Sequence, residues 1–265
     1  MLEKVCALAI KVGKYQSEQR KTFSRDRVET KHSHDYVSYV DKQSEMMIVS
    51  ALKTLSPKAG FITEEKTTEQ TDGTEYEWIV DPLDGTTNFI HDLGPWCVCI
   101  ALKHNGELVL GVVYEVSRGE LFYATKGEGA WLRTKDNELK RLQVSPVSDV
   151  DGSLVCIGYP YDAEAYRDFC VSLTSRLYGR CVSVRSFGSA ETELCYVAAG
   201  RIEMYIESYI KPWDVSAGAV ILKEAGGRIT DYQGEDRLWP SGREVMATNG
   251  RIHTAMLEEI RRCRL

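Results

Sequence analysis

The chain has 265 residues, 43% of them apolar and 27% charged, the proportions of a globular protein large enough to bury a substantial core. Lys and Arg number 33 against 39 Asp and Glu, a net charge of −6. That balance, without a basic block, speaks against nucleic-acid binding through phosphate charge alone, and no apolar run approaches the roughly 18 residues that span a bilayer. The N-terminal stretch is broken by Glu3, Lys4 and Lys11 and lacks a signal-peptide core. The eight cysteines are scattered and mostly sit in apolar segments, so reduced thiols and a cytoplasmic location are expected.

Apolar positions Leu2, Val5, Cys6, Ala9 and Val12 have helical spacing. The polar, charged stretch that follows reads as a mobile loop, over 23–40, or as a frayed helix end. Asp41 then opens a second helical pattern with Ile48, Val49, Leu52 and Leu55 on one side, stopped by Pro57 and Gly60. Phe61-Ile62 and Trp78-Ile79-Val80 are short apolar strands. The run from Trp96 to Leu102 suits a strand buried on both faces. His104-Asn105-Gly106 is a hairpin signal, and Leu108–Val116 and Leu121–Ala124 extend an antiparallel meander. A polar break at 145–152 is the expected lobe boundary. Beyond it, strands at 155–157, 182–186 and 204–206 alternate with helices at 163–177, 190–199, 215–225 and 252–262. The reading is an α+β first lobe, about 1–148, packed tightly on an α/β second lobe, about 149–265.

The most chemistry lies in Asp81-Pro82-Leu83-Asp84-Gly85-Thr86-Thr87-Asn88. Two aspartates follow an apolar strand, three apart across a proline that fixes φ and has no N–H. A rigid turn of this kind suits aiming both carboxylates and the Leu83 carbonyl at one point. Gly85 permits close backbone approach, and Thr86, Thr87 and Asn88 suit a first helical turn whose free N–H groups take a phosphate. Carboxylates beside an anion site make sense with a hard divalent cation such as Mg²⁺ between them. An acidic turn that merely caps a helix accounts for the same residues equally well.

The other candidates are weaker alone. Asp214, after Pro212-Trp213, precedes a helical face and reads first as an N-cap. Asp41 reads the same way, and Glu64-Glu65 as a solvated pair. Cys97 and Cys99 share a strand face and read as core, because no second pair completes a zinc site. His32 and His34 read as solvated, and Gly127-Glu128-Gly129 as a turn. No P-loop, Gly-x-Ser-x-Gly or His-Glu-x-x-His pattern occurs.

Taken together, the segments resemble the inositol monophosphatase-like family of metal-dependent, lithium-sensitive phosphatases. WIVDPLDGTTNF (78–89) and PWDVSAGAVILKEAGG (212–227) carry its two signatures, and GEGAW (127–131) and RSFGSAETELCYVAAGR (185–201) extend the resemblance over nearly the whole chain. The resemblance implies an αβαβα layered sandwich of the sugar-phosphatase type and two or three Mg²⁺ ions. By position, Glu64, Asp81, the backbone oxygen of Leu83, Asp84 and Asp214 would hold metal. Thr86 and Glu64 would orient the attacking water, supported by Asp41, and Gly85 and Thr86 would hold phosphate. Substrate hydroxyls would meet Asp84, Ala190, Glu207 and Asp214, with Lys31 on a mobile loop nearby. Glu191 departs from the small residue of many relatives. It would either enter the substrate pocket or lie idle on the outer helix face. The expected activity is hydrolysis of a small sugar or polyol phosphate, most simply inositol monophosphate. Fructose-1,6-bisphosphatase and 3′-phosphoadenosine-5′-phosphate phosphatase are alternatives, and a non-catalytic relative that binds RNA or protein is a different class. A homodimer, with no nucleic acid or membrane partner, completes the expectation.

Overall fold

The computed structural model describes residues 1–24, 28–32, 35–161, 163–236 and 244–263, and only the backbone of 30–32, 35, 36 and 163. Five layers stack in the order helix, sheet, helix, sheet, helix. The first layer pairs α1 (Leu2–Lys21) with α2 (Tyr39–Leu55). Both are amphipathic, and their buried stripes of Val5, Ala9 and Val12, and of Ile48 and Leu52, recur at helical spacing.

They cover a seven-stranded sheet, ordered β3 (Gly60–Thr63), β4 (Tyr76–Asp84), β5 (Cys97–His104), β6 (Glu107–Glu115), β7 (Glu120–Thr125), β8 (Ala130–Arg133) and β9 (Leu139–Arg141). Only β3 and β4 run parallel. Alternation along these strands divides the core. Trp78, Val80, Val98 and Ile100 face α1 and α2, while Ile79, Cys97, Cys99 and Ala101 face the opposite way. The expected turn at Asn105-Gly106 joins β5 to β6, both residues at positive φ.

The middle layer is α5 (Ala190–Ala198) and α6 (Ser216–Glu224), buried nearly all round because a sheet lies on each side. The second sheet is five-stranded, ordered β11 (Ser183–Arg185), β10 (Leu154–Ile157), β12 (Met204–Ser208), β14 (Glu244–Thr248) and β13 (Arg228–Thr230). Here β10 runs parallel to β11 and β12, and β14 antiparallel to β12 and β13. Outside it lie α4 (Ala163–Leu177) and α7 (His253–Cys263), with Leu173, Leu177, Met256 and Ile260 packed on Val155, Ile157, Met204 and Ile206. The short α3 (Thr86–His91) follows β4. The chain passes from one sheet to the other between Arg141 and Leu154.

Three expectations need correction. The stretch 23–40 is not simply a loop. It contains a hairpin of β1 (Val28–His32) and β2 (Asp35–Ser38), with residues 25–27 and 33–34 outside the described ones. Polar strands without alternation hide this pair from a pattern reading. Second, Asp41 does not start α2. Ser38 is its N-cap, taking the N–H of Val40 at 3.1 Å, and Asp41 sits three residues on, returning a bond to Ser38 N at 2.9 Å. Third, Asp214 closes a 3₁₀ turn, Pro212–Asp214, and Val215 caps α6. Strands β8, β9, β13 and β14 also escape the pattern, being short, exposed or buried throughout. Among the described residues, no helix is long and apolar enough to cross a membrane.

Candidate active site

The end of β4 builds the centre of the site. Asp81 pairs with Cys99 and Asp84 with Cys97, so Pro82 and Leu83 together oppose Val98 alone. This is a β-bulge. In a regular strand, residues three apart point to opposite faces. The extra residue brings Asp84 back to the face of Asp81. Pro82, which could not donate to a ladder, sits where the ladder is broken. Its carbonyl takes the side-chain N–H of Gln16 from α1 at 2.7 Å, and the Leu83 N–H binds Asp81 Oδ1 at 2.9 Å, so the bulge is held from both sides.

Gly85 then turns the chain into α3 at φ 88°. A Cβ there would stand 2.8 Å from the Pro95 carbonyl, so only glycine fits. Asn88 anchors this start across the cleft, donating to Pro95 O at 2.8 Å and Phe187 O at 2.6 Å. The Thr86 hydroxyl lies 2.9 Å from Asp41 Oδ1 and 3.0 Å from the Leu83 carbonyl. Asp41 is itself buried and lies behind Thr86.

A cleft of about 300 Å³ opens over these residues. Glu64, Asp81, Leu83, Asp84 and Asp214 line it, together with Gly85, Thr86, Ala190 and Glu207. Burial pushes the Asp81 carboxyl well above the usual range, and Glu64, Asp84 and Asp214 push it further. Asp214 is raised likewise, by burial and then by Glu64, against the Lys211 N–H that it accepts at 2.7 Å. Asp84 is also raised by burial, but less freely, because Ser189 Oγ at 2.6 Å and the N–H groups of Ala190 and Glu191, at 3.2 and 2.9 Å, bind it at the start of α5. Among the described residues, no Lys or Arg pairs with Asp81, Asp84 or Asp214. An all-oxygen donor set under mutual repulsion fits a hard divalent cation.

Glu191 adopts neither of its expected positions. It is fully buried and absent from the cleft, and its carboxylate binds the N–H groups of Ala217, at 2.9 Å, and of Gly218. It caps α6 from α5 instead of meeting substrate. The side chain of Lys31 lies outside the described residues, and its backbone belongs to β1.

Two glutamates escaped the sequence reading. Glu193 lines the cleft, takes the Phe187 N–H and has its pKa pushed up by burial to about 8. Its helix is buried all round, so no periodicity marks it. Glu45 is fully buried on α2 and accepts Thr63 Oγ1, Glu65 N and Thr67 N, at 2.9, 2.7 and 2.7 Å, which fixes the turn that presents Glu64. That one had a signal. Glu45 continues the stripe of Ile48 and Leu52, as Gln16 continues that of Ala9 and Val12, and a polar residue on an apolar stripe needs a buried partner.

The model of the inositol monophosphatase family matches residues 1–265. The Nus factor SuhB of Escherichia coli strain K12 is 35% identical over 261 residues, covering 98% of this chain and 96% of its own. The solved extragenic suppressor protein suhB of Bartonella henselae superposes with a TM-score of 0.90 at 31% identity, over 97% of each chain. An IMPase of Thermotoga maritima superposes at 0.87 with 30% identity, over 99% of this chain and 97% of its own. The layered fold and the whole-length match lead to one conclusion: the chain belongs to the inositol monophosphatase family.

Proposed function

We propose that this protein is a Mg²⁺-dependent phosphomonoesterase of small sugar or polyol phosphates, most simply inositol monophosphate. The observation that carries the reading is the meeting of Glu64, Asp81, Asp84, Asp214 and the Leu83 carbonyl in one cleft, beside the glycine-led start of α3. Those residues would hold the metal. When bound, Mg²⁺ relieves the carboxylates' repulsion, acidifies water and stabilises charge on the leaving oxygen.

The chain's own groups supply the rest. The Thr86 hydroxyl is turned by its bonds to Asp41 and Leu83, so with Glu64 it orients the attacking water. The Gly85 and Thr86 N–H groups hold phosphate. Ala190, Glu207 and Asp214 face the alcohol, and the Tyr205 hydroxyl fixes Glu207 at 2.6 Å. Holding reactants in one orientation and meeting developing charge supply most of the lowered barrier for so slow a hydrolysis. No covalent nucleophile is needed.

A second reading draws on the name Nus factor carried by curated relatives: a role with a transcription partner. The acidic charge of −6 and the complete carboxylate set favour catalysis first. We extend the proposal to a cytoplasmic homodimer inhibited by lithium, on family resemblance.

Phosphate release with and without Mg²⁺ tests the proposal. The substrates are inositol 1-phosphate, fructose 1,6-bisphosphate, 3′-phosphoadenosine-5′-phosphate and glycerol 2-phosphate. The expected result is Mg²⁺-dependent release with inositol 1-phosphate giving the highest kcat/KM. Silence on all four by folded, Mg²⁺-bound protein would overturn it.

A further inference from the structure

The bulge that turns Asp84 back to the face of Asp81 also sets it against two thiols. Cys97 and Cys99 stand two apart on β5, so they share the face that looks at Asp81 and Asp84. Their sulfurs are 3.3 Å apart, and Cys97 Sγ lies 3.4 Å from Asp84 Oδ2. One ligand atom from each of Asp84, Cys97 and Cys99 falls within 4.8 Å of the others. Both thiols are fully reduced and buried, at 0% and 1% exposure, directly behind a carboxylate that lines the cleft.

We propose that Asp84, Cys97 and Cys99 form a capture site for a thiophilic cation of the Zn²⁺, Cd²⁺ or Cu⁺ class, behind the carboxylate cleft and sharing Asp84 with it. Tetrahedral zinc, with bonds of about 2.3 Å to sulfur and about 2.1 Å to oxygen, separates two sulfurs by about 3.8 Å and sulfur from oxygen by about 3.6 Å. The two pairs that Cys97 makes, at 3.3 and 3.4 Å, lie within about half an ångström of those spacings, and Cys99 lies within 4.8 Å of Asp84. Ser189 Oγ, 2.6 Å from Asp84 and 3.5 Å from Cys97, stands beside the fourth position. Hard ions have no affinity for the thiols and stay with the oxygens, whereas soft ions prefer sulfur. A soft ion that enters the cleft is passed from Asp84 to the sulfurs, and coordination replaces both thiol protons, which leave to solvent. Asp84 is then withdrawn from the cleft. This last consequence rests on the phosphatase reading, but the site itself does not.

Titration of the full-length, metal-free protein with Cd²⁺ tests the site without any activity. The expected result is ultraviolet thiolate-to-cadmium charge-transfer absorption that saturates at one equivalent. Cys97→Ser and Cys99→Ala each weaken binding by about 100-fold or more, since each removes a ligand outright where losing a mere supporting partner already costs about 10–100-fold, while Cys263→Ser leaves it unchanged. Melting curves identify any variant that fails to fold, and either variant suffices. Absence of the absorption, or its persistence in both variants, would overturn the site. In a second arm, saturating Cd²⁺ abolishes Mg²⁺-dependent phosphate release, and Cys99→Ala retains release at the same Cd²⁺. Undiminished release by the Cd²⁺-saturated protein would overturn the sharing of Asp84. No release before Cd²⁺ is added is a failure of the phosphatase reading, and the absorption still decides the site.

Discussion

Glu191 reaches from the first turn of α5 to the N-terminus of α6, where its carboxylate takes the Ala217 N–H at 2.9 Å and that of Gly218. Burial pushes its pKa well up, and the nearby Asp84 pushes it further, yet both helix donors would be left unpaired without it. Glu191→Ala is therefore expected to lower unfolding free energy by about 2 kcal/mol, the cost of orphaned buried donors. Denaturant unfolding reads that loss, and KM changes less than about 2-fold. A ten-fold rise in KM at unchanged stability would return Glu191 to the substrate.

Asp41 divides its two oxygens between two tasks. One receives Thr86 Oγ1 at 2.9 Å, the other Ser38 N and Oγ at 2.9 and 2.6 Å. Thr86→Ala should lower kcat by about 100-fold with little change in KM, since it removes orientation rather than binding. Thr86→Ser should restore most of it. Asp41→Ala should lower kcat similarly and also cost about 1 kcal/mol of stability through the lost cap. Steady-state kinetics beside thermal unfolding separate the two effects.

Glu193 and Glu207 predict a pH dependence of the metal-free protein. Burial raises them from 4.5 to about 8 and about 7 in the folded state. Between those limits and 4.5 the folded chain holds more protons than the unfolded one, so their contribution is full below pH 4.5 and is lost as pH rises to about 8. Glu193→Gln should flatten the fall in stability across that window. An identical pH slope in the variant, followed by urea unfolding, would count against the assignment.

The carboxylate repulsion makes metal binding and stability one measurement. Mg²⁺ at 100 times its Kd should stabilise the protein by about 2.7 kcal/mol. Asp81→Asn, by removing one of the mutually raised groups, should stabilise the metal-free protein and lose most of the Mg²⁺ shift. Thermal unfolding with and without Mg²⁺ checks both directions.

The sequence carried the helices and the central strands clearly, because burial on one side or on both leaves a period in the apolar residues. Val5, Ala9 and Val12 announce α1, and Trp96–Leu102 announces β5. The hairpin at Val28–Ser38 is polar and leaves no period. The site was legible where a motif concentrates it, at Asp81–Asn88 and Pro212–Asp214. It was illegible where the cause is three-dimensional. Nothing local tells that a bulge realigns Asp84 with Asp81, that Cys97 and Cys99 back onto it, or that Glu191 turns from the cleft to cap α6. Those facts depend on register and on helix-to-helix packing, which the order of residues alone does not display.

Asp84 is the residue on which the account turns, since it lines the cleft and is fixed by Ser189, Ala190 and Glu191. The most direct measurement is Mg²⁺-dependent phosphate release from inositol 1-phosphate by the Asp84→Asn protein, with its circular dichroism and melting midpoint taken alongside. The account predicts an intact fold and a fall in kcat/KM of about 1,000-fold or more, the scale of losing a charge-stabilising group. A folded Asp84→Asn protein that keeps its activity within about ten-fold, a change of about 1.4 kcal/mol in the barrier, would contradict it.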